Sequence, residues 1–163
     1  MTPKPPAGTP AMVALTRAGL PFTVHTYQHD PAVTGYGLEA ADALGLAAEV
    51  VFKTLLADAD GELAVAVVPV SAQLDLKALA SALHVKKTAM ADPVVAARVT
   101  GYVVGGISPI GQKRSLRTVV DVSAAEHPCV YVSGGRRGLD LGLSPQDLLT
   151  ATGGVLARIR RSS

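Results

Sequence analysis

Lys53 interrupts the apolar run Val50-Val51-Phe52-Lys53-Thr54-Leu55-Leu56. By two-residue alternation it shares a face with Val51 and Leu55. An ammonium on such a face is costly unless it reaches water, a carboxylate or a ligand. Two readings stand open: an edge-strand lysine that blocks aggregation or snorkels to water, or a fixed positive charge in a cleft. The other informative stretch is Gly101-Tyr-Val-Val-Gly-Gly-Ile-Ser-Pro-Ile-Gly111, with four glycines in eleven residues. Val103, Val104, Ile107 and Ile110 anchor it to a core, and Pro109 holds φ near −65°. Gly105, Gly106 and Gly111 permit backbone angles that other residues avoid and let a ligand approach main-chain N–H groups. The stretch reads as a rigid binding loop that offers amide donors in place of charged side chains. Its bland alternative is a glycine-rich turn between two strands.

Other chemistries are set aside on spacing. Gly106-Ile-Ser-Pro-Ile-Gly111 resembles the opening of a nucleotide P-loop, G-x-x-x-x-G-K-[ST]. Residue 112 is Gln, however, the lysine comes one place late at 113, and Pro109 removes an N–H from the cradle. A strand follows at 116–122 where a P-loop needs a helix. His25 and His29 flank Tyr27 on one strand face, but at ~3.3 Å per residue they lie ~13 Å apart and cannot share one zinc ion unaided. His84 and His127 have no partner at ligand spacing, so no metal or other cofactor is expected. Cys129, within Cys-Val-Tyr-Val-Ser, carries no cue for a lowered pKa and reads as a small buried hydrophobe. No G-x-S-x-G elbow and no Ser-His-Asp triad can be assembled.

Two basic groups remain. Ser133-Gly-Gly-Arg-Arg-Gly-Leu-Asp140 combines flexible backbone, two cations and a carboxylate. It is either a plain hairpin turn or a place where Arg136 or Arg137 meets phosphate and Asp140 holds an ammonium group. Lys113, Arg114 and Arg117 follow the glycine loop, and a cluster of this size is ordinarily a solvated face.

The elements that must position these residues can be read in order. Residues 1–8 are Pro-rich and read as a loose arm. Thr9 as N-cap and Pro10 at N1 start a helix that Gly19 ends. Residues 22–29 alternate as a strand, 38–44 form a short helix, and strands at 50–57 and 62–70 flank a turn at 58–61. The second of these is apolar on both faces, hence buried on both. Helices at 74–84 and from Asp92-Pro93 through Arg98 precede the glycine loop. Strands at 117–122 and 129–133, a turn at 133–138, a helix capped by Ser144 and a strand at 155–160 complete the chain. Residues 9–163 form a single α/β domain around a mixed, partly barrel-like β-sheet surrounded by short helices, not a doubly wound sheet.

Composition sets the outer bounds. The 163 residues are 48% hydrophobic and 17% charged with a net charge of +2, a globular and mildly basic chain compatible with a polyanion without demanding one. With no Trp, two Phe and four Tyr, stacking on several bases is not available as a main binding mode. One cysteine excludes an internal disulfide and fits a reducing cytoplasm. The N-terminal residues lack the apolar region of a signal peptide, and no apolar run is long enough to span a bilayer.

Six segments together resemble the YbaK/EbsC group of free-standing aminoacyl-tRNA deacylases, in its Cys-tRNA(Pro) deacylase branch. They are His25-Thr-Tyr-Gln-His-Asp-Pro31, Phe52-Lys-Thr-Leu-Leu56, Gln73-Leu-Asp-Leu-Lys77, Met90-Ala-Asp-Pro93, residues 101–113 and Tyr131-Val-Ser-Gly-Gly-Arg-Arg-Gly-Leu-Asp140. The resemblance covers about residues 11–160 and implies a fold related to the editing domain of bacterial prolyl-tRNA synthetases. It implies hydrolysis of the ester joining a misplaced cysteine to tRNA(Pro), with Cys-tRNA(Cys) as a further substrate, in trans beside a transiently bound synthetase.

Carried over by position, Lys53 matches the family's essential lysine. The backbone at Gly105 and Gly106, continuing through Ile107, Ser108 and Pro109, matches the substrate-binding loop. Tyr27, Ser133, Arg137 and Asp140 match pocket positions. Tyr36 departs, since close relatives carry Phe there, and its hydroxyl bears on pocket polarity. In the mechanism the resemblance implies, the substrate's own thiol attacks its carbonyl, so no enzyme nucleophile is needed. An Ala-tRNA(Pro) deacylase and a non-catalytic module that holds tRNA or the synthetase are the alternative readings.

Overall fold

The computed structural model describes residues 8–161. Residues 1–7 of the expected arm, and 162–163, lie outside the described residues.

The described residues run through five helices and eight strands: α1 (Pro10–Ala18), β1 (Thr23–Thr26), α2 (Tyr36–Leu44), β2 (Phe52–Ala59), β3 (Glu62–Pro69), α3 (Leu76–Leu83), β4 (Thr88–Met90), α4 (Pro93–Thr100), β5 (Arg117–Asp121), β6 (Val130–Arg136), β7 (Leu139–Leu143), α5 (Pro145–Thr152) and β8 (Val155–Ala157). A 3-10 turn, Val122–Glu126, follows β5. Helix starts follow their caps. Thr9 accepts from the Met12 amide, Asp75 from Ala78, Asp92 from Val94 and Val95, and Ser144 from Asp147. Four of the five helices end at a left-handed glycine, and α3 ends at His84 with φ 59°.

The strands form two sheets. One is three-stranded and antiparallel in the order β1-β7-β6. The other is five-stranded and mixed, β4-β2-β3-β5-β8, with β3, β5 and β8 mutually parallel. A parallel bridge between Val51 and Tyr131 joins the sheets beside the start of β2, which gives the partly barrel-like outline. Between the sheets lies the main core: Ala11 and Leu15 of α1 with Phe52, Leu56, Val65, Val67, Val120, Val130, Val132, Leu141 and Leu143. A second cluster packs α3 (Leu79, Leu83) on the outer face of the larger sheet, against Ala64, Ala66, Val68 and Val119. β3 is therefore apolar on both faces because both are covered, each fully buried Val or Leu contributing about 1.5–3 kcal/mol. A third, small cluster seats Ala40 and Ala41 of α2 on Val51 and Val70.

Several boundaries differ from the sequence reading. β2 runs to Ala59, and the hairpin turns on Asp60 and Gly61 alone, with φ of 52° and 95°. This is a two-residue turn whose twist matches the strands. β6 continues through the glycines to Arg136 with a bulge after Ser133, so the turn is only Arg137-Gly138. β7 was not expected as a strand, although Leu139, Leu141 and Leu143 alternate; an Asp and a Gly between them masked it. β4 was likewise missed, being three residues long. The strand expected at 22–29 pairs as a ladder only over Thr23–Thr26. The glycine loop joins a helix, α4, to a strand, β5, in the expected order, so the plain turn between two strands does not apply.

Candidate functional site

A cleft of about 370 Å³ opens where the first turn of α2, the start of β2, the glycine loop and the β6–β7 pair converge. Of the residues singled out from sequence, Tyr27, Tyr36, Lys53, Gly105, Ile107, Ser133 and Asp140 line it. Gly106, Ser108, Pro109 and Arg137 do not.

Lys53 is half-buried, paired in register with Val68 on β3. β4 pairs with β2 only over Ala57–Ala59, so beside Lys53 the edge of β2 opposite β3 carries no strand among the described residues, and the cleft that Lys53 lines opens there. No carboxylate forms an ion pair with Lys53 among the described residues. Burial pushes its ammonium down from the usual 10.5. The fixed charge therefore faces the cleft uncompensated. α2 adds to it: its N-cap is Gly35, with no side-chain cap, and Gly35, Tyr36, Gly37 and Leu38 line the cleft. The positive end of the helix dipole thus borders the lysine. Gly37 has to be glycine, because a Cβ there would strike Val70 Cγ1.

Opposite the lysine, Ser133 and Asp140 are direct cross-strand partners on β6 and β7. Asp140 is 5% exposed. Burial raises its carboxyl from 3.8 to about 7. Tyr27, held by its amide to the Gly138 carbonyl at 3.0 Å, has its phenol raised by burial and then by the Asp140 charge. The Ser133 hydroxyl accepts from the Gly135 amide at 3.3 Å.

The glycine loop is braced from inside. Tyr102, buried, donates its phenol to the Ile110 carbonyl at 2.6 Å and so ties the two ends of the loop. Burial pushes that phenol up to about 12. The Ser108 hydroxyl accepts from the Ile110 amide at 3.2 Å, and Ser108 and Pro109 are buried away from the cleft. Their part is to shape the loop.

The Gly106 amide donates to the Val103 carbonyl at 2.9 Å. The donor pair expected at Gly105 and Gly106 is corrected on this point: Gly106 closes a turn, and its missing side chain lets the loop lie on the Arg136 backbone, 2.7 Å from an added Cβ. Gly105, at φ 85°, keeps an N–H without a partner among the described residues. The Tyr36 ring packs on Gly105, 2.8 Å from where a Cβ would stand. The same ring neighbours His29, with ring centroids 5.6 Å apart, and the Arg137 guanidinium, 5.1 Å from its centroid. His29 is itself held to Glu39 at 2.7 Å.

Sequence reasoning missed Thr34, Thr54, Gly37 and Tyr102. Thr54 lines the cleft, and its buried hydroxyl has no hydrogen-bond partner among the described residues. An orphaned donor beside a charged cleft is a place for a polar ligand atom. The signal was present in Phe52-Lys-Thr54, a hydroxyl on the face turned to the interior. The cleft contains neither His nor Cys. A lysine, a loop amide, a carboxyl and hydroxyls can bind and polarise an activated carbonyl compound, but no side chain there is paired with a general-base histidine.

The cleft thus joins a lysine, a buried carboxyl, hydroxyls and a loop glycine on an α/β scaffold. A family model for the aminoacyl-tRNA editing domain matches residues 30–151. A protein of Enterococcus faecalis, assigned by name as a Cys-tRNA(Pro)/Cys-tRNA(Cys) deacylase, EbsC, is 38% identical over 121 residues, 73% of each chain. The crystal structure of a hypothetical protein superposes with a TM-score of 0.84 at 27% identity, over 93% of this chain and 99% of that one. A structure of a protein assigned as a trans-editing enzyme for prolyl-tRNA synthetase gives a TM-score of 0.80 at 24% identity, over 94% and 96% of the two chains, a likeness of fold. The chain belongs to the aminoacyl-tRNA editing domain family.

Proposed function

We propose that this protein is a trans-editing aminoacyl-tRNA deacylase that clears cysteine from tRNA(Pro), and from tRNA(Cys) as a secondary substrate, beside a transiently bound prolyl-tRNA synthetase in the cytoplasm. The observation that carries the reading is Lys53, half-buried and without an ion-pair partner among the described residues, in a cleft that Gly105 also lines and that holds no His or Cys among its described residues. The resemblance to EbsC supports the substrate class.

The chemistry needs no enzyme nucleophile. The cysteinyl thiol attacks its own ester carbonyl, a C–S bond forms, the C–O bond to the ribose breaks, and the thiol proton passes to the departing ribose oxygen. The product is a small-ring thiolactone that water later opens. Lys53, with the first turn of α2, holds the terminal phosphate or ribose and steadies developing negative charge. The Gly105 N–H receives the carbonyl oxygen as it becomes an oxyanion. Asp140, Ser133 and Tyr27 take the α-amino group, and an arriving ammonium draws the Asp140 carboxyl into its ionised form. The protein supplies geometry and charge placement.

Two measurements test this. Lys53→Ala is expected to lower Cys-tRNA(Pro) deacylation by about 10²–10³-fold; near-normal turnover by the folded variant refutes the role of the lysine. A panel of cysteinyl, alanyl and seryl tRNA esters is expected to show release of cysteine alone. Equal release of alanine removes the thiol route, and an intact cysteinyl ester in the presence of pure protein removes the enzymatic reading.

A further inference from the structure

Arg137 stands at the β6–β7 turn, exposed and outside the cleft lining. Its guanidinium is turned onto the glycine loop. Nε and Nη2 both donate to the Val104 carbonyl, at 2.9 and 2.6 Å. The same guanidinium lies over the Tyr36 ring, which also packs on Gly105. In a planar trans peptide the C=O and the following N–H point in opposite directions. Fixing the Val104 carbonyl on Arg137 therefore aims the Gly105 N–H away from Arg137. Gly105 lines the cleft and Arg137 does not. A cation on the carbonyl also polarises the peptide unit, making the N–H at its other end a stronger donor. The Val104–Gly105 peptide is the central one of the turn that the Gly106 amide closes on the Val103 carbonyl, and among the described residues its own carbonyl is held by Arg137 alone.

We propose that Arg137 is a positioning residue: it clamps and polarises the Val104–Gly105 peptide so that the Gly105 amide is presented to the oxyanion, with Tyr36 as the spacer that keeps the guanidinium in place. This replaces a phosphate contact as the function of Arg137. It rests on the deacylase reading above. Arg remains distinct from Lys at such a position, because the planar fork delivers two donors to one oxygen while an ammonium delivers a point charge.

The test compares wild type, Arg137→Gln and Arg137→Lys, with thermal melting to show that each is folded. Expected for Arg137→Gln is a fall in kcat of roughly 10- to 100-fold with KM unchanged, the pattern of an interaction made only in the transition state. Arg137→Lys is expected to recover part of that loss. The dependence of rate on salt stays as in wild type. A raised KM with a shallower salt slope overturns the proposal in favour of a phosphate contact, and unaltered kinetics overturn it outright. A second readout needs no turnover: the Gly105 amide proton resonance is expected to move upfield in Arg137→Gln, while amides of β3 stay in place. An unmoved Gly105 resonance overturns the clamp even where the wild type deacylates. A wild type that cleaves no ester overturns the deacylase reading instead.

Discussion

Asp140 is the residue whose environment has the plainest consequence for pH. Its carboxyl is raised from 3.8 to about 7 by burial alone, so between those values the folded chain holds a proton that the unfolded chain has lost. Stability from this group is fully present below about pH 4 and falls as pH rises towards 7. The displacement corresponds to on the order of 4 kcal/mol. Asp140→Asn is expected to flatten the dependence of urea-unfolding free energy on pH across that window. An unchanged slope shows that the carboxyl ionises freely in the fold. Thr54 makes a contrasting case. Its hydroxyl has no partner to lose, so Thr54→Val is expected to leave the melting temperature unchanged or raised. The same change is expected to lower kcat/KM by roughly fivefold, about 1 kcal/mol for one hydrogen bond to substrate. A drop in stability without a kinetic change would place the hydroxyl in the fold alone.

At the level of elements, the glycine loop shows that adjacent glycines do different jobs. Gly105→Ala is expected to cost at least about 10²-fold in rate, since a Cβ meets the Tyr36 ring and φ is 85°. Gly106→Ala instead pushes the loop off the Arg136 backbone and is expected to lower the melting temperature as well as the rate. Calorimetry beside the deacylation assay separates the two.

The sequence revealed three helix starts well, because Thr9, Asp92 and Ser144 are local caps whose chemistry acts within one turn, whereas α3, read from its periodicity as starting at 74, begins at Leu76 behind the cap Asp75. It also revealed that Lys53 was anomalous. It did not reveal which reading of that anomaly holds, because the answer is a cleft built around Lys53 by distant segments: the first turn of α2, the glycine loop and the β6–β7 pair. The glycine loop was legible as rigid. Which of its amides is free was not, since that depends on a bond from Gly106 back to Val103 and on Arg137, far along the chain. β7 was hidden for a related reason: Asp140 inside it is tolerated by its setting on a cleft, which no local pattern announces.

Over the whole molecule, the segment that follows β8 is held by a buried carboxylate. Asp121, fully buried, accepts from the Ile159 and Arg160 amides at 3.0 and 3.1 Å and from the amide and hydroxyl of Ser123, with Arg160 Nε at 3.8 Å. Asp121→Ala leaves several donors without an acceptor and is expected to destabilise the domain by about 3–5 kcal/mol. Because the cleft lies on the other strands, the variant is expected to keep its kinetic constants below its lowered melting temperature. The sheets themselves meet at the cleft through the Val51–Tyr131 bridge, reinforced by the Tyr131 amide on the Val50 carbonyl at 2.9 Å. A guest gripped by Lys53 on one sheet and by Ser133 and Asp140 on the other fastens that seam like a clasp. Deuterium uptake at the Tyr131 amide should slow when an uncleavable cysteinyl-adenosine mimic is bound, while the centre of the β2–β3 hairpin exchanges as before.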